Sequence, residues 1–441
     1  MKKYSLSALV AAGLLAGGLA TSANAADLGG NCCADLEERI AELEATTARK
    51  GNRKVSLTVS GWVAEQVMWW DDGEEDNVYV AGLGTTLATN VKFTGQATIS
   101  PGVSAGYVIH MEAIDSDSLT HNADSAVGPA LYDLLGGGTS AFNVQVIQSY
   151  WFLKSDHWGK VSVGQQSQAS DNTALLVDGS GTLVPANWVA FDVNSFAIRN
   201  NGAVALTWGG AGSCRGMGGA WGDCNGLTQE AVRYDSPTFA GFSVSASWGA
   251  DDFWDVAARY AGEFSGIKLA AAVAYNEVND EFYNLAGGPQ NGLLDRVSVI
   301  ATGLHCTPAC VNYPAGVELE YFQAGVYAQH VPTGLWVLYN YGHLDDNFTA
   351  ADSAETHYVK VGVRGKWHPW GATIPYIEYL TTQDGPFDGA ELEVWGAGIA
   401  QEIDPAAMTV WLKYRNLDFD DNTNVKYEDF DQLSIGGLIN F

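Results

Sequence analysis

Asp431-Gln432-Leu433-Ser434-Ile435-Gly436-Gly437-Leu438-Ile439-Asn440-Phe441 closes the chain. Side chains alternate across an extended strand, so Leu433, Ile435, Ile439 and Phe441 share one face. The segment reads as an amphipathic strand with an aromatic end. That is the form in which an outer-membrane barrel offers its last strand for insertion. Its expected partner is the barrel-assembly machinery, engaged through Phe441.

The same period of two runs back through the chain. Val55, Leu57 and Val59 alternate with Ser56, Thr58 and Ser60, and that run ends at Trp69-Trp70 and acidic Asp71-Asp72-Gly73. Short breaks rich in Pro and Gly recur at Ser100-Pro101-Gly102, 155–159, 236–241, 263–266, 331–334, 368–371 and 404–406. Longer polar breaks alternate with them. Sixteen segments read as strands: 54–70, 84–99, 103–113, 142–154, 159–165, 228–235, 241–250, 253–262, 267–276, 317–330, 334–342, 356–367, 373–381, 390–402, 407–417 and 430–441. An even count, with loops sorted by length, predicts an all-β, 16-stranded antiparallel transmembrane β-barrel over 53–441. Two connections, 166–227 and 277–316, are long enough to carry structure or function. The fragments 196–208 and 293–304 look strand-like, which keeps a count of eighteen open.

The first 25 residues read as a secretory signal peptide. Lys2 and Lys3 precede an apolar run, and Ala23-Asn24-Ala25 supplies the cleavage site. Residues 26–52 change character. Cys33, Leu36, Ile40, Leu43 and Thr47 follow the spacing of a coiled-coil seam, which predicts a short periplasmic helical segment. A helix this short is costly to nucleate alone. Held in three copies, it would form a stalk beneath a trimer, within reach of peptidoglycan. A frayed polar tail is the alternative.

Composition sets limits. The chain has 51 acidic and 22 basic residues, 51 Gly, 15 Trp and 19 Tyr. This acidity argues against nucleic acid, which needs a basic face. No phosphate loop, zinc-protease helix or nucleophile elbow is found, so no enzyme, cofactor or metal is expected. Isolated His110, His121 and His343 do not alter that. Trp69, Trp70, Trp151, Trp248, Trp254, Trp367 and Trp370 fall near strand ends and are expected to form interfacial girdles. Cys214/Cys224 and Cys306/Cys310 lie close together in loops, and a secreted chain makes two disulfides the plain reading, with a zinc site as the alternative.

Three segments resemble alphaproteobacterial general-diffusion porins of the Rhizobiales type: Cys32 to Val55, Val232-Arg-Tyr-Asp-Ser-Pro-Thr-Phe-Ala-Gly-Phe242, and terminal Phe441. The likeness runs over essentially the whole mature chain. It implies a homotrimer in the outer membrane, in contact with lipid and lipopolysaccharide. It also implies a third external loop, 166–227, folded inward to narrow a water-filled channel for small hydrophilic solutes. Loop carboxylates would face wall arginines across the constriction. Asp171, Asp178 and Asp192 are the loop candidates. Arg233 resembles the family's wall arginine. Asn90 stands where relatives often carry another arginine.

Strand phase predicts further lumenal charges. Arg259 opposes Val256, Ala258 and Tyr260. Lys360, Arg364 and Lys366 oppose Val359, Val361 and Val363. Lys413 and Arg415 oppose Val410, Leu412 and Tyr414. By the same argument Glu318 and Glu320 oppose Leu319 and Tyr321, and Glu391 and Glu393 oppose Leu392 and Val394. From residue 55 onward acids number 45 against 15 bases, which predicts weak cation preference. A substrate-specific channel on the same barrel, or a secreted β-sandwich, are the competing readings.

Overall fold

The computed structural model describes residues 54–84, 87–114, 121–123, 143–189, 192–212, 228–249, 253–279, 318–346 and 353–441. The expected signal peptide and the 26–52 helix lie outside the described residues. Cys214, Cys224, Cys306 and Cys310 lie outside them too, and with them the two expected disulfides, Cys214 with Cys224 and Cys306 with Cys310.

The strands are β1 (Thr58–Asp71), β2 (Asp76–Ala81), β3 (Asn90–Ser100), β4 (Val103–Ile114), β5 (Asn143–Ser155), β6 (Gly159–Gln166), β7 (Ala197–Asn200), β8 (Ala203–Thr207), β9 (Gln229–Asp235), β10 (Phe242–Gly249), β11 (Trp254–Phe264), β12 (Ile267–Asn279), β13 (Glu318–His330), β14 (Leu335–Asp346), β15 (Ser353–Val363), β16 (Gly365–His368), β17 (Gly371–Gln383), β18 (Glu391–Ile403), β19 (Met408–Asp420) and β20 (Phe430–Asn440). All but β7 and β8 join one antiparallel sheet. β1 pairs with β20 from Trp62↔Asn440 to Asp71↔Asp431, which closes the sheet on itself. Closure removes both open edges, as a sheet in lipid requires.

Two staves are broken. β2 and β3 both pair with β1, at Asp71↔Asp76 and at Trp62↔Asn90. β15 and β16 both pair with β17 around an irregularity at Gly365/His368. Counting each broken pair once gives sixteen staves, each overlapping one of the sixteen segments expected from sequence. The second stave differs from the continuous 84–99 expected. The inserted stretch turns Leu83 and Leu87 into the interior. The Trp62 indole donates to Leu87 O at 3.1 Å, and Thr89 Oγ1 accepts from Ala64 N at 3.2 Å. These bonds satisfy backbone groups that a missing neighbour would otherwise leave bare. Residues 196–208 do form strands, β7 and β8, but as a separate hairpin.

Tight turns join the staves on one side, the periplasmic side of such a barrel. At Ser265-Gly266 both residues have positive φ, 51° and 78°. This two-residue turn matches the right-handed twist of the flanking strands, and Gly266 adopts it without a Cβ clash.

The outward face is apolar. Val63, Val256, Val337, Ile377, Leu412 and Ile435 are exposed there. Trp248, Trp254 and Trp395 are exposed toward one end of this face, and Trp367 and Trp370 at the other. Trp70 breaks the girdle expectation: it points inward and is buried. Its ring packs on Phe196 at 4.9 Å, and Phe196 on Phe430 at 5.0 Å. An apolar core thus lies inside the barrel, because the long connection between β6 and β9 fills it.

Candidate functional site

The connection after β6 advances along the inner wall as its sequence advances. Arg233 on β9 donates to Ser167 O at 2.9 Å and to Gln168 O at 2.8 Å. Ala169 N donates to Ser247 Oγ on β10 at 3.0 Å. Arg259 on β11 holds Ala169 O and bonds Thr173 Oγ1 at 2.8 Å. Gln323 on β13 donates to Ser170 O at 3.0 Å and accepts from Ala174 N at 2.8 Å. Asn340 on β14 donates to Ala174 O. Lys360 on β15 bonds Asp178 Oδ2 at 2.6 Å, and Arg364 donates to Ser180 O at 2.9 Å. Arg415 on β19 donates to Ala186 O. Asp192 receives Lys413 and Arg415 of β19, and Gln66 of β1 at 2.6 Å. Arg199 reaches Asp72, just past β1, at 2.6 Å. The loop is therefore a belt, hydrogen-bonded to the inside of the wall from β9 round to β1.

Two glycines show how close the belt lies. A Cβ at Gly325 would collide with Ala174 O, so β13 needs a hydrogen there. Gly181 has φ +93°, and a Cβ would collide with Arg364 and Glu402. Its backbone favours glycine as well.

The charges are mutually neutralised. Lys360 and Asp178 are both fully buried. Lys360 also bonds Thr182 Oγ1 at 2.8 Å and Asn187, and lies 5.6 Å from the Trp336 ring and 5.7 Å from the Tyr376 ring. Arg415 bonds Glu378 Oε1 at 2.8 Å besides Asp192. Arg364 grips Glu402 with two bonds of 2.7 and 2.6 Å. Arg233 pairs with Asp235 at 2.8 Å, and Lys160 with Asp235 at 3.1 Å. Asp171 acts electrostatically on both Arg233 and Arg259. Burial alone would raise the Asp192 carboxyl, but Lys413 and Arg415 outweigh it and hold the group below its usual range. His121, buried against Asp192 O at 3.0 Å, is pushed down to about 4 by that burial. Its imidazole is neutral near pH 7.

Asp171, Asp178, Asp192, Arg233, Arg259, Lys360, Arg364, Lys413 and Arg415 all meet at the belt or the wall it covers. Lys366 is exposed beside the turn after β16 and reaches none of them. Three carboxylates depart from expectation, and the side chain of Glu318 lies outside the described residues. Phe322 and Val326 are exposed on the lipid side of β13, while Tyr321 and Gln323 are buried inside. Glu320 shares the outward parity. On β18, Trp395 and Ile399 face out and Leu392 and Val394 face in. Glu391 and Glu393 are therefore outward, next to Thr381 and Tyr379. The expectation took apolar residues as lipid-facing, and it fails where the belt supplies an apolar interior.

Sequence reading also missed Glu378, Asp255, Gln323 and Asn340. A usable signal existed for the first two. Glu378 lies between outward Ile377 and Tyr379, and Asp255 between outward Trp254 and Val256. Asn90 faces inward, and Lys92 stands two residues on along the same face.

Solved structures share this architecture. An anion-selective porin from Comamonas acidovorans is 12% identical, with 88% of this chain and 100% of that chain covered and a TM-score of 0.55. Outer-membrane expressed OmpT of Vibrio cholerae is 11% identical, with 89% and 99% covered and a TM-score of 0.51. OprB of Pseudomonas putida is 10% identical, with 92% and 97% covered and a TM-score of 0.50. Likeness at such identity carries the fold alone. No curated protein matches the chain by sequence. The family model for Gram-negative porins matches residues 6–289, more than half of the chain. With that match and a closed sixteen-stave barrel, the chain belongs to the Gram-negative porin family, channel proteins of the outer membrane.

Proposed function

We propose that the chain is a passive diffusion channel for small hydrophilic solutes and ions, weakly cation-selective, of the alphaproteobacterial general-diffusion type. The observation that carries this reading is the pairing of the belt with the wall. The basic groups that hold the belt are bound to carboxylates or loop carbonyls, so they add little uncompensated positive charge to the passage. Selectivity then falls to the outer mouth, where the β1–β2 turn exposes Glu74, Glu75 and Asp76. A negative mouth concentrates cations, within a screening length of roughly 8 Å at physiological salt.

The working unit in this reading is a homotrimer. Glu65 has the outward parity of Val63 and Val67, in the middle of β1 and beside the break between β2 and β3. A carboxylate and a broken stave are both costly against lipid. A second copy over β20, β1 and β3 would cover them. The same secreted setting supports disulfides within the pairs Cys214/Cys224 and Cys306/Cys310, each closing a short stretch of a long connection. Peptide mapping without reductant should recover each pair as one linked species.

The test is a reversal potential across a bilayer under a salt gradient. The expected sign is a modest cation preference that shrinks as salt rises. Anion preference, or a flux of one solute class that saturates at low concentration, would contradict the reading and favour a substrate-specific channel.

A further inference from the structure

The described charges are sorted along the barrel axis. At the loop end the β1–β2 turn exposes Glu74, Glu75 and Asp76, and the β19–β20 connection exposes Asp420, Glu428 and Asp429. Two basic residues stand at that end among the described residues. One of them, Arg199, is already bonded to Asp72; the other is Lys426. The turn end reverses the balance. Lys154 and Lys160 are directly opposite each other on β5 and β6, and both have the inward parity. Lys268 shares the inward parity of Ala272 and Ala274 on β12, and it is exposed. Lys366 is exposed beside its turn. Acids at this end are partly cancelled: Asp235 and Glu402 are held by Arg233 and Arg364, and Glu263 lies opposite Lys268. Counted whole, Lys54, Lys154, Lys160, Arg233, Lys268, Arg364 and Lys366 stand at this end against Asp156, Asp235, Glu263, Glu402 and Asp404, a small excess of bases.

We infer that the pore is electrically polar along its axis, negative outside and weakly positive inside, and that it therefore rectifies ionic current. The inference rests on the open-channel reading above and adds a direction to it. The negative zone is rich in mobile cations and the positive zone in mobile anions. A field with the external side positive drives cations inward and anions outward. Each ion leaves the zone that concentrates it, both accumulate at the boundary, and conductance rises. The opposite field sweeps both kinds away from the boundary, and conductance falls. Both poles act only over the screening length, about 10 Å in 0.1 M salt and about 3 Å in 1 M salt.

Single-channel current in symmetric KCl, with the protein inserted from one chamber, reads this directly. At about 0.1 M KCl the current at a given voltage should be about twofold larger with the external side positive, and the ratio should approach one near 1 M. Lys154→Gln, Lys268→Gln and Lys366→Gln together should bring the low-salt ratio close to one and strengthen cation preference. A second variant, Glu74→Gln, Glu75→Gln and Asp76→Asn, should lower the ratio from the other pole and weaken cation preference. Equal currents at both polarities in low salt overturn the inference and leave the channel reading standing. A ratio that survives both 1 M KCl and the lysine substitutions also overturns it, since its cause is then shape and not charge. A folded protein that conducts nothing overturns both readings.

Discussion

Lys360 Nζ and Asp178 Oδ2 lie 2.6 Å apart with both side chains fully buried, joining β15 to a belt residue 182 positions earlier. A carboxylate placed by sequence at a constriction, as if to meet ions, meets the wall instead. Asp192 does the same against Lys413 and Arg415. The belt's acids are anchors first. Their effect on permeation works through where they hold the chain.

Removing one anchor should loosen the belt. Asp178→Ala leaves the Lys360 ammonium buried without its carboxylate, a loss of about 3–5 kcal/mol. Single channels of this variant should show higher or fluctuating conductance, and the barrel should unfold at lower temperature on a heat-shift gel. The double change Lys360→Met with Asp178→Leu removes both charges and should recover most of that stability.

Acid should release the second anchor. The Asp192 carboxyl is held below its usual range, so its contribution is present above the unfolded value, near 3.9, and is lost as pH falls through the depressed native value. Conductance steps should be steady from about pH 7 to about pH 5 and change below about pH 4. Asp192→Asn should show the loosened conductance at neutral pH, with a smaller acid-dependent change. An unchanged acid transition in that variant would place its cause elsewhere.

Packing should matter as much as charge. Phe196 is fully buried among Trp70, Tyr79 and Phe430. Phe196→Ala should cost about 3–5 kcal/mol and free the belt's far end. Gly325→Val should push β13 and the belt apart at Ala174 O, with conductance altered and the barrel still formed. Wild-type conductance in both variants would mean that the belt's position does not depend on these contacts.

The barrel was legible from alternation and turn chemistry. Each of the sixteen expected segments overlaps a stave, because lipid demands an apolar outer face over every one of them. Lys360, Lys413 and Arg415 have the inward parity that phase gave them, but they meet the belt and not an open lumen. Phase failed at Glu320, Glu391 and Glu393. Near the belt Tyr321, Leu392 and Val394 are buried inside, so apolar no longer means outward. Trp70 misled for the same reason. The belt itself had a length and a resemblance, but its course depends on single hydrogen bonds to Gln323, Asn340 and Arg415. No local pattern announces these. The break in the second stave was hidden as well, since Leu83 and Leu87 read as ordinary strand residues until their inward packing is seen.

The central claim is that the belt occupies the barrel interior and sets the cross-section of the channel. The most direct measurement is single-channel conductance, with graded solute exclusion, of a chain in which residues 171–192 are replaced by a short Gly-Ser linker. Lys360, Lys413 and Arg415 are changed to Met and Glu378 to Gln in the same chain, so that no buried charge is left alone. Higher conductance and passage of solutes that the parent excludes are the expected result. A folded barrel with the parent's conductance and the parent's size limit would contradict the account.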